Sequence, residues 1–300
     1  MRLALTVFAV TCFLGSAHAE PDSLDDLLGP REIAVGEAMR GGATGSSAIG
    51  LNPAGLPLNR ELVFEGGYGY RASDSASLVG VSACDSTNVV PGCFFYEYAG
   101  SSPDLGGMSM SRTTHVAGTA LSKMIVPRVM IGVTSKYYRY SSDLMGDVKK
   151  SGFLFDAGAT VRLTDMINFG VSGQNLVATE KSDWFPRAIG AGIHARPLPT
   201  LALSFDSRWK TAGGGARYGG GAELFLRGGS MGYPIRIGGI HDNGLGATYI
   251  TGGIGVANMK WGIDLAARRE VKGGDEMLVL ASMRFFGPRM ATPGIGASEE

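Results

Sequence analysis

Residues 155–163 read Phe-Asp-Ala-Gly-Ala-Thr-Val-Arg-Leu, and apolar and polar residues alternate strictly along this stretch. A period of two is the period of a β-strand, in which successive side chains point to opposite faces. The stretch therefore predicts a strand with one apolar and one polar face. The apolar face holds Phe155, Ala157, Ala159, Val161 and Leu163, and the polar face holds Asp156, Gly158, Thr160 and Arg162.

The same alternation recurs at residues 167–172, 201–206 and 276–285. The candidate strands that contain these stretches run for about ten residues or more, the length that a tilted membrane strand needs, whereas soluble strands average about five or six. Their second face mixes Gly, Ser, Asn, Asp and Arg, which suits a water-lined lumen better than a packed core. Because an open sheet edge would leave backbone groups unpaired in lipid, the strands must close. The sequence thus predicts an all-β transmembrane antiparallel barrel.

The spacing of these segments also predicts how many strands the barrel has. We count fourteen, an even number as in bacterial single-chain barrels. Twelve is the alternative, because the second and third candidates look short. The candidates are 61–73, 76–83, 94–100, 109–124, 129–142, 151–163, 167–178, 187–197, 200–211, 216–227, 233–241, 248–258, 261–270 and 276–286.

The N-terminus has the features of a secretory signal peptide. Arg2 precedes an apolar run that ends at Leu14, and Ala17-His18-Ala19 matches a cleavage site. A lipoprotein signal at Cys12 is the less favoured alternative. The predicted organisation is a signal peptide at 1–19, an N-terminal plug segment at 20–60, the barrel at 61–286 and a periplasmic C-terminal tail at 287–300.

Composition agrees with a barrel and excludes other classes. Glycine accounts for 47 of 300 residues, charged residues make up 18% and the formal net charge is zero. A balanced charge gives no reason to expect nucleic acid as a partner. The 44% of hydrophobic residues argues against disorder for most of the chain.

Cysteines and histidines give no sign of catalysis. Cys84 and Cys93 are predicted to form one disulfide, and a redox or metal pair is the alternative reading. His115, His194 and His241 are isolated in sequence, so we predict no metal site, no cofactor and no catalytic residues. An outer-membrane enzyme is the other reading, and it would need a His with a Ser or Asp on an adjacent strand.

Residues 20–60 do not alternate and end in Asn52-Pro53-Ala54-Gly55-Leu56. Together with the preceding glycine-rich residues 36–48, this string resembles the N-terminal signature of the FadL-type fatty acid transporters and the related PorV-type barrels. The resemblance implies a fourteen-stranded barrel whose N-terminal segment plugs the lumen, with Asn52, Pro53 and Ala54 in the plug motif. Pro53 also biases Asn52 away from helix, and Gly55 permits a turn.

We expect the protein to lie in the outer membrane of a Gram-negative bacterium, and two functions are compatible with that location. The first is a passive channel for hydrophobic molecules such as long-chain fatty acids, which the apolar residues Leu278 and Leu280 on a lumen face suggest. We identify no enzymatic motif in the sequence. By the resemblance, a lateral opening would lie near Ala99 and Gly100. The second is a PorV-like component of protein secretion or surface attachment. Expected partners are outer-membrane lipids, a hydrophobic small-molecule ligand, the barrel-assembly machinery and, for the second function, secretion proteins.

Overall fold

The computed structural model describes residues 28–102, 104–105, 108–143, 148–180, 185–211, 213 and 215–289. The predicted signal peptide, residues 20–27 of the predicted plug segment and residues 290–300 of the predicted tail lie outside these ranges. Among the described residues, no helix combines the length and apolar character needed to cross a membrane.

Fourteen strands form one closed antiparallel barrel, in which the last strand pairs with the first. The predicted count is confirmed, and twelve strands are excluded. The second and third strands have ten residues each and are not short. The strands are β1 Glu61–Arg71, β2 Ala76–Asp85, β3 Gly92–Ser101, β4 Arg112–Val126, β5 Val129–Ser142, β6 Val148–Arg162, β7 Ile167–Ala178, β8 Ala188–Leu198, β9 Leu201–Lys210, β10 Ala216–Gly228, β11 Met231–Asp242, β12 Ala247–Ala257, β13 Trp261–Lys272 and β14 Met277–Arg289.

The connections between strands are mostly short. Asp104–Leu105 pairs with Met108–Ser109 in a small ribbon that lies in the connection between β3 and β4. At the other end of the chain, β14 continues to Arg289, beyond the predicted end of the barrel at residue 286.

The two faces of the wall differ as the alternation predicts. On β5, Ile131 and Val133 are 48% and 54% exposed, whereas Thr134 and Lys136, which follow them on the other face, are buried. Large apolar side chains cover the outer face in the same way on the other strands. This outer face suits contact with hydrocarbon, and the closed ladder leaves no strand edge unpaired there.

Residues 28–60, which we call the inner segment, lie inside the barrel. The segment contains α1 Pro30–Ala34, α2 Ser46–Gly50 and a 3-10 helix Pro53–Leu58. Helix α1 contacts β11 to β14, and the 3-10 helix contacts β4 to β7 on another part of the wall. The inner segment therefore bridges the lumen, and it contacts polar side chains that the sequence suggested would line water.

Candidate functional site

Asn52 fixes the inner segment to the wall. Its side chain is fully buried, and its Nδ2 donates to the Arg40 carbonyl and to Thr160 Oγ1, both at 2.9 Å. Its Oδ1 accepts the backbone N–H of Ala54 at 3.2 Å, which caps the 3-10 helix at its first turn. One amide thus ties the predicted plug motif to β6 and to an earlier part of the inner segment.

Glycines on the wall make room for this motif. A Cβ at Gly132 of β5 would lie 2.5 Å from the backbone nitrogen of Ala54, and one at Gly158 of β6 would collide with the Asn52 side chain. Gly132 and Gly158 are cross-strand partners, so their missing side chains form one shallow recess. The backbone at Pro53 and Ala54 lies in that recess, where only glycine allows so close an approach.

Arg40 is the charged anchor of the inner segment. Its Nη1 lies 3.0 Å from Asp206 Oδ2 and its Nε donates to Ser172 Oγ at 2.9 Å, while its backbone N–H donates to the same Asp206 oxygen at 2.9 Å. The Arg40 and Asp206 side chains are only 3% and 4% exposed. A carboxylate and a guanidinium buried to this degree depend on each other for compensation of their charge.

A second charged contact lies further along the wall. Glu37 Oε1 is 2.9 Å from both Arg217 Nη2 and Arg268 Nη1, which belong to β10 and β13. Thr251 of β12 donates its hydroxyl to the Ala34 carbonyl at 3.0 Å. These contacts hold the segment at a second position on the wall.

In the part of the chain that the structure describes, three cavities border the inner segment. The largest of the three, about 580 Å³, lies at the end where β1 begins, and we call it the vestibule. Both apolar and polar groups line it, and several of the polar ones are charged. A smaller one of about 70 Å³ is lined mainly by apolar groups of the segment and of β1, β2, β3 and β14, and we call it the apolar cavity. The third, about 30 Å³, contacts Arg40 and Arg208 on the other side of the segment.

Neighbouring cavities share a few residues of the inner segment. Leu28 and Gly50 line both the third cavity and the apolar cavity, and the Leu28 side chain lies against Gly50. Ser46, Ser47 and Glu65 line both the apolar cavity and the vestibule. A path across the barrel is therefore interrupted twice. Leu28 and Gly50 form an apolar constriction between the third cavity and the apolar cavity, and Ser46, Ser47 and Glu65 form a polar constriction between the apolar cavity and the vestibule.

The other residues singled out in the sequence take varied positions. Cys84 and Cys93 form a disulfide between directly paired positions of β2 and β3. Leu278 and Leu280 are buried on the inward face of β14, beside Ile33 of α1. Ala99 and Gly100 pair with β2 and with β4, so the ladder has no gap at these residues. A lateral opening there stays a prediction.

The histidines do not form a metal site among the described residues. His194 Nδ1 lies 2.8 Å from Ser204 Oγ on the adjacent strand, the type of pair that an enzyme would require. Gly42 of the inner segment lies directly on the His194 ring, where an added Cβ would collide with it. The inner segment therefore covers the His194 ring, which is buried.

Glu32 on α1 makes the docking of the inner segment sensitive to pH. Burial, followed by the nearby Glu65 carboxylate, raises the pKa of Glu32 from its ordinary value of 4.5 to about 7, against the opposing effects of Arg31 and Arg284. The docked segment therefore retains a proton that the detached segment releases. This stabilisation is complete below pH 4.5 and is lost as the pH rises through about 7.

We expect the inner segment of the barrel in detergent to become more sensitive to protease as the pH rises through neutrality. A Glu32→Gln variant, which resembles the protonated form, should show the same protection on both sides of neutrality. Protection of the native chain that does not change over this range would contradict the prediction.

Comparison with known proteins gives the fold. No family model and no curated protein sequence matches the chain. Among solved structures, the chain is similar to the CymD monoaromatic hydrocarbon channel (12% identity, 86% of this chain and 97% of that chain covered, TM-score 0.63). It is also similar to the Pseudomonas putida toluene transporter TodX (11% identity, 86% and 97%, TM-score 0.63) and to a Pseudomonas aeruginosa FadL homologue (11% identity, 86% and 98%, TM-score 0.63). The chain has the fold of the FadL-type channels, as its N-terminal signature implied.

Proposed function

We propose that the chain is an outer-membrane channel for the passive passage of small hydrophobic molecules and that the inner segment acts as its plug. The observation that carries this proposal is the apolar cavity. It lies between the inner segment and the wall, with Leu28, Leu78, Leu280 and Phe95 in its lining. Burial of a hydrophobic molecule against these side chains would be favourable at roughly 25 cal/mol per Å² of apolar surface.

The size of this cavity indicates what passage requires. A cavity of about 150 Å³ lined by apolar side chains holds benzene. The apolar cavity, at about 70 Å³, is smaller, so the entry of an aromatic ring requires a shift of neighbouring side chains. Leu28 is the best placed to move, because it separates this cavity from the next one and lies against a glycine.

The similar channels support the choice of probe. CymD is described as a monoaromatic hydrocarbon channel and TodX as a toluene transporter. We therefore take toluene as the first probe for this chain. Long-chain fatty acids, which the sequence resemblance suggested, serve as the second probe class.

The test is the uptake of labelled toluene by cells that carry the barrel, compared with cells that lack it. Gly80 lies on the inward face of β2 and lines the apolar cavity, and nothing lies within 4 Å of a Cβ built there. Gly80→Val should project a side chain into the cavity and reduce uptake to the level of the barrel-free strain. Gly252→Val is the matched control, because a Cβ at this position meets only the Arg236 carbonyl oxygen, at 3.6 Å.

Uptake that is equal in the native strain and in the barrel-free strain would overturn the proposal. In that case, stable co-purification of a protein partner would favour the PorV-like role in secretion or surface attachment. Uptake that survives Gly80→Val would show that the molecule passes by a route other than the apolar cavity.

A further inference from the structure

A polar patch lies on the outer face of the wall, near the end of β5 and the beginning of β6. His115 of β4 is paired with Arg139 of β5, which is paired with Ser151 of β6. One row nearer to the strand ends, Ser141 of β5 is paired with Lys149 of β6. All buried residues of these three strands have even numbers, so these five odd-numbered residues point away from the lumen. We call the five residues the basic patch.

The lengths of the connections show which side of the membrane the basic patch faces. At the end where β1 begins, β4 is joined to β5 by residues 127–128 and β8 to β9 by residues 199–200. At the opposite end, β3 is joined to β4 by residues 102–111 and β7 to β8 by residues 179–187. Outer-membrane barrels have short periplasmic turns and longer extracellular loops. The basic patch, at the end with the longer loops, therefore faces the outer leaflet of the membrane.

The two cations of the basic patch are not neutralised. Arg139 and Lys149 are exposed diagonal neighbours on adjacent strands, a relation that corresponds to a spacing of about 7–8 Å. Neither side chain has an ion-pair or hydrogen-bond partner within the described ranges, and no outward-facing residue of β3 to β6 is an aspartate or glutamate. His115 Nδ1 lies 2.8 Å from the Tyr96 hydroxyl. Because like charges on neighbouring strands repel each other, an anion bound between Arg139 and Lys149 would stabilise this arrangement.

Aromatic side chains continue the outer face directly below the basic patch. Tyr137 of β5 is paired with Phe153 of β6, and the centres of their rings are 5.3 Å apart. Phe155 follows one row further towards the middle of the wall and is 41% exposed. The outer face thus changes from basic to apolar within a few residues, as expected where lipid headgroups adjoin hydrocarbon. A molecule that fits both parts needs an anionic head and an apolar tail.

We propose that the basic patch binds the phosphate monoester of a lipid in the outer leaflet. The Arg139 guanidinium can donate two parallel hydrogen bonds to a phosphate and Lys149 can donate another, with the hydroxyls of Ser141 and Ser151 on the same face. A phosphate monoester carries a charge of about −1.5 to −2 at pH 7, which matches two cations better than the single charge of a phosphodiester does. The acyl chains of the lipid would lie along the aromatic side chains below. This site is on the outside of the wall and does not depend on the proposed channel function.

The test is the binding of monophosphoryl lipid A, a glycolipid with one phosphate monoester, to the purified barrel in a neutral detergent. A fluorescent form of this lipid is titrated to obtain its affinity. Arg139→Gln and Lys149→Gln should each weaken binding at least about fivefold, because each removes a charged hydrogen-bond donor. Lys149→Arg keeps the charge and should bind like the native chain. Lys150→Gln is the matched control, because Lys150 is paired with the buried Tyr140 on the inward face.

Two competitors define the chemistry of the bound group. Inorganic phosphate at the concentration of the glycolipid should not displace it, because it has no acyl chains, and phosphatidylglycerol, a phosphodiester, should displace it only weakly. Displacement by inorganic phosphate would overturn a lipid site, and equal binding of phosphatidylglycerol would overturn the choice of a monoester. Native affinity in both glutamine variants, or the same loss in Lys150→Gln, would overturn the site itself. Heat-modifiable migration on a gel verifies that each variant forms a barrel.

Discussion

Gly132→Val is expected to expel the plug motif from the barrel wall and to open the lumen to ions. The added Cβ would lie 2.5 Å from the backbone nitrogen of Ala54 and nearer still to the carbonyl carbon of Pro53. Backbone atoms cannot rotate away as the end of a side chain can, so the motif must leave the recess. Overpacking of this kind costs about 1–3 kcal/mol, and valine itself is well suited to a strand.

Single-channel conductance in planar bilayers measures this effect. We expect the variant to show a large conductance for a substantial fraction of the time, whereas the native chain remains closed. Gly252→Val, the same substitution at a strand position away from the inner segment, should behave like the native chain. A variant that folds and is as closed as the native chain would mean that residues 52–54 do not close the lumen.

Asp206→Ala should release the inner segment through a different mechanism. Asp206 accepts hydrogen bonds from the side chain and from the backbone of Arg40 in surroundings where both side chains are almost fully buried. Removal of one partner of a buried ion pair costs roughly 3–5 kcal/mol, because the remaining charge loses its compensation. Docking of the segment should weaken by a comparable amount.

Limited proteolysis of the purified barrel reports this release, since a detached segment is cleaved and a docked one is protected. The double variant Arg40→Met with Asp206→Leu removes both charges together and should recover much of the lost protection. If Asp206→Ala is as protected as the native chain, the ion pair does not hold the segment. If the double variant is as sensitive as the single one, the effect does not come from the uncompensated charge.

The sequence was sufficient to predict the wall of the barrel. Alternation is a local property, and each strand repeats it independently, so fourteen strands could be recognised without knowing their neighbours. Several strand ends differ from the prediction by two or three residues, among them those of β2 and β3, whose ends at Cys84–Asp85 and Gly92–Cys93 were left out. These ends carry no clear apolar face, and they are held in the sheet by cross-strand pairing that includes the disulfide.

The candidate site was much less predictable. Asn52 was found through its motif, but its partners Arg40 and Thr160 are 12 and 108 residues away in the chain. Glu65 and Glu97 lie on different strands, and nothing in the sequence shows that they line one cavity. The only signal for them in the sequence was that each lies on the polar face of its strand.

The sequence also did not reveal that glycines on the inward faces of the strands make room for the inner segment. Many glycines on polar faces suggested an interior filled with water, because glycine and small polar residues line such interiors. In the structure, Gly132 and Gly158 instead receive the backbone of the inner segment. Which of the two roles a glycine has depends on what lies opposite it in the lumen, and strand periodicity carries no information on that.

The short connection from the 3-10 helix to β1 imposes an order on biogenesis. Only Asn59 and Arg60 separate the helix from β1, and β1 forms the seam with β14. A segment whose backbone lies within recesses of the wall cannot be threaded through a finished cylinder. We therefore expect the inner segment to dock on the growing sheet first. The first and last strands, β1 and β14, should pair around it in the last step of insertion.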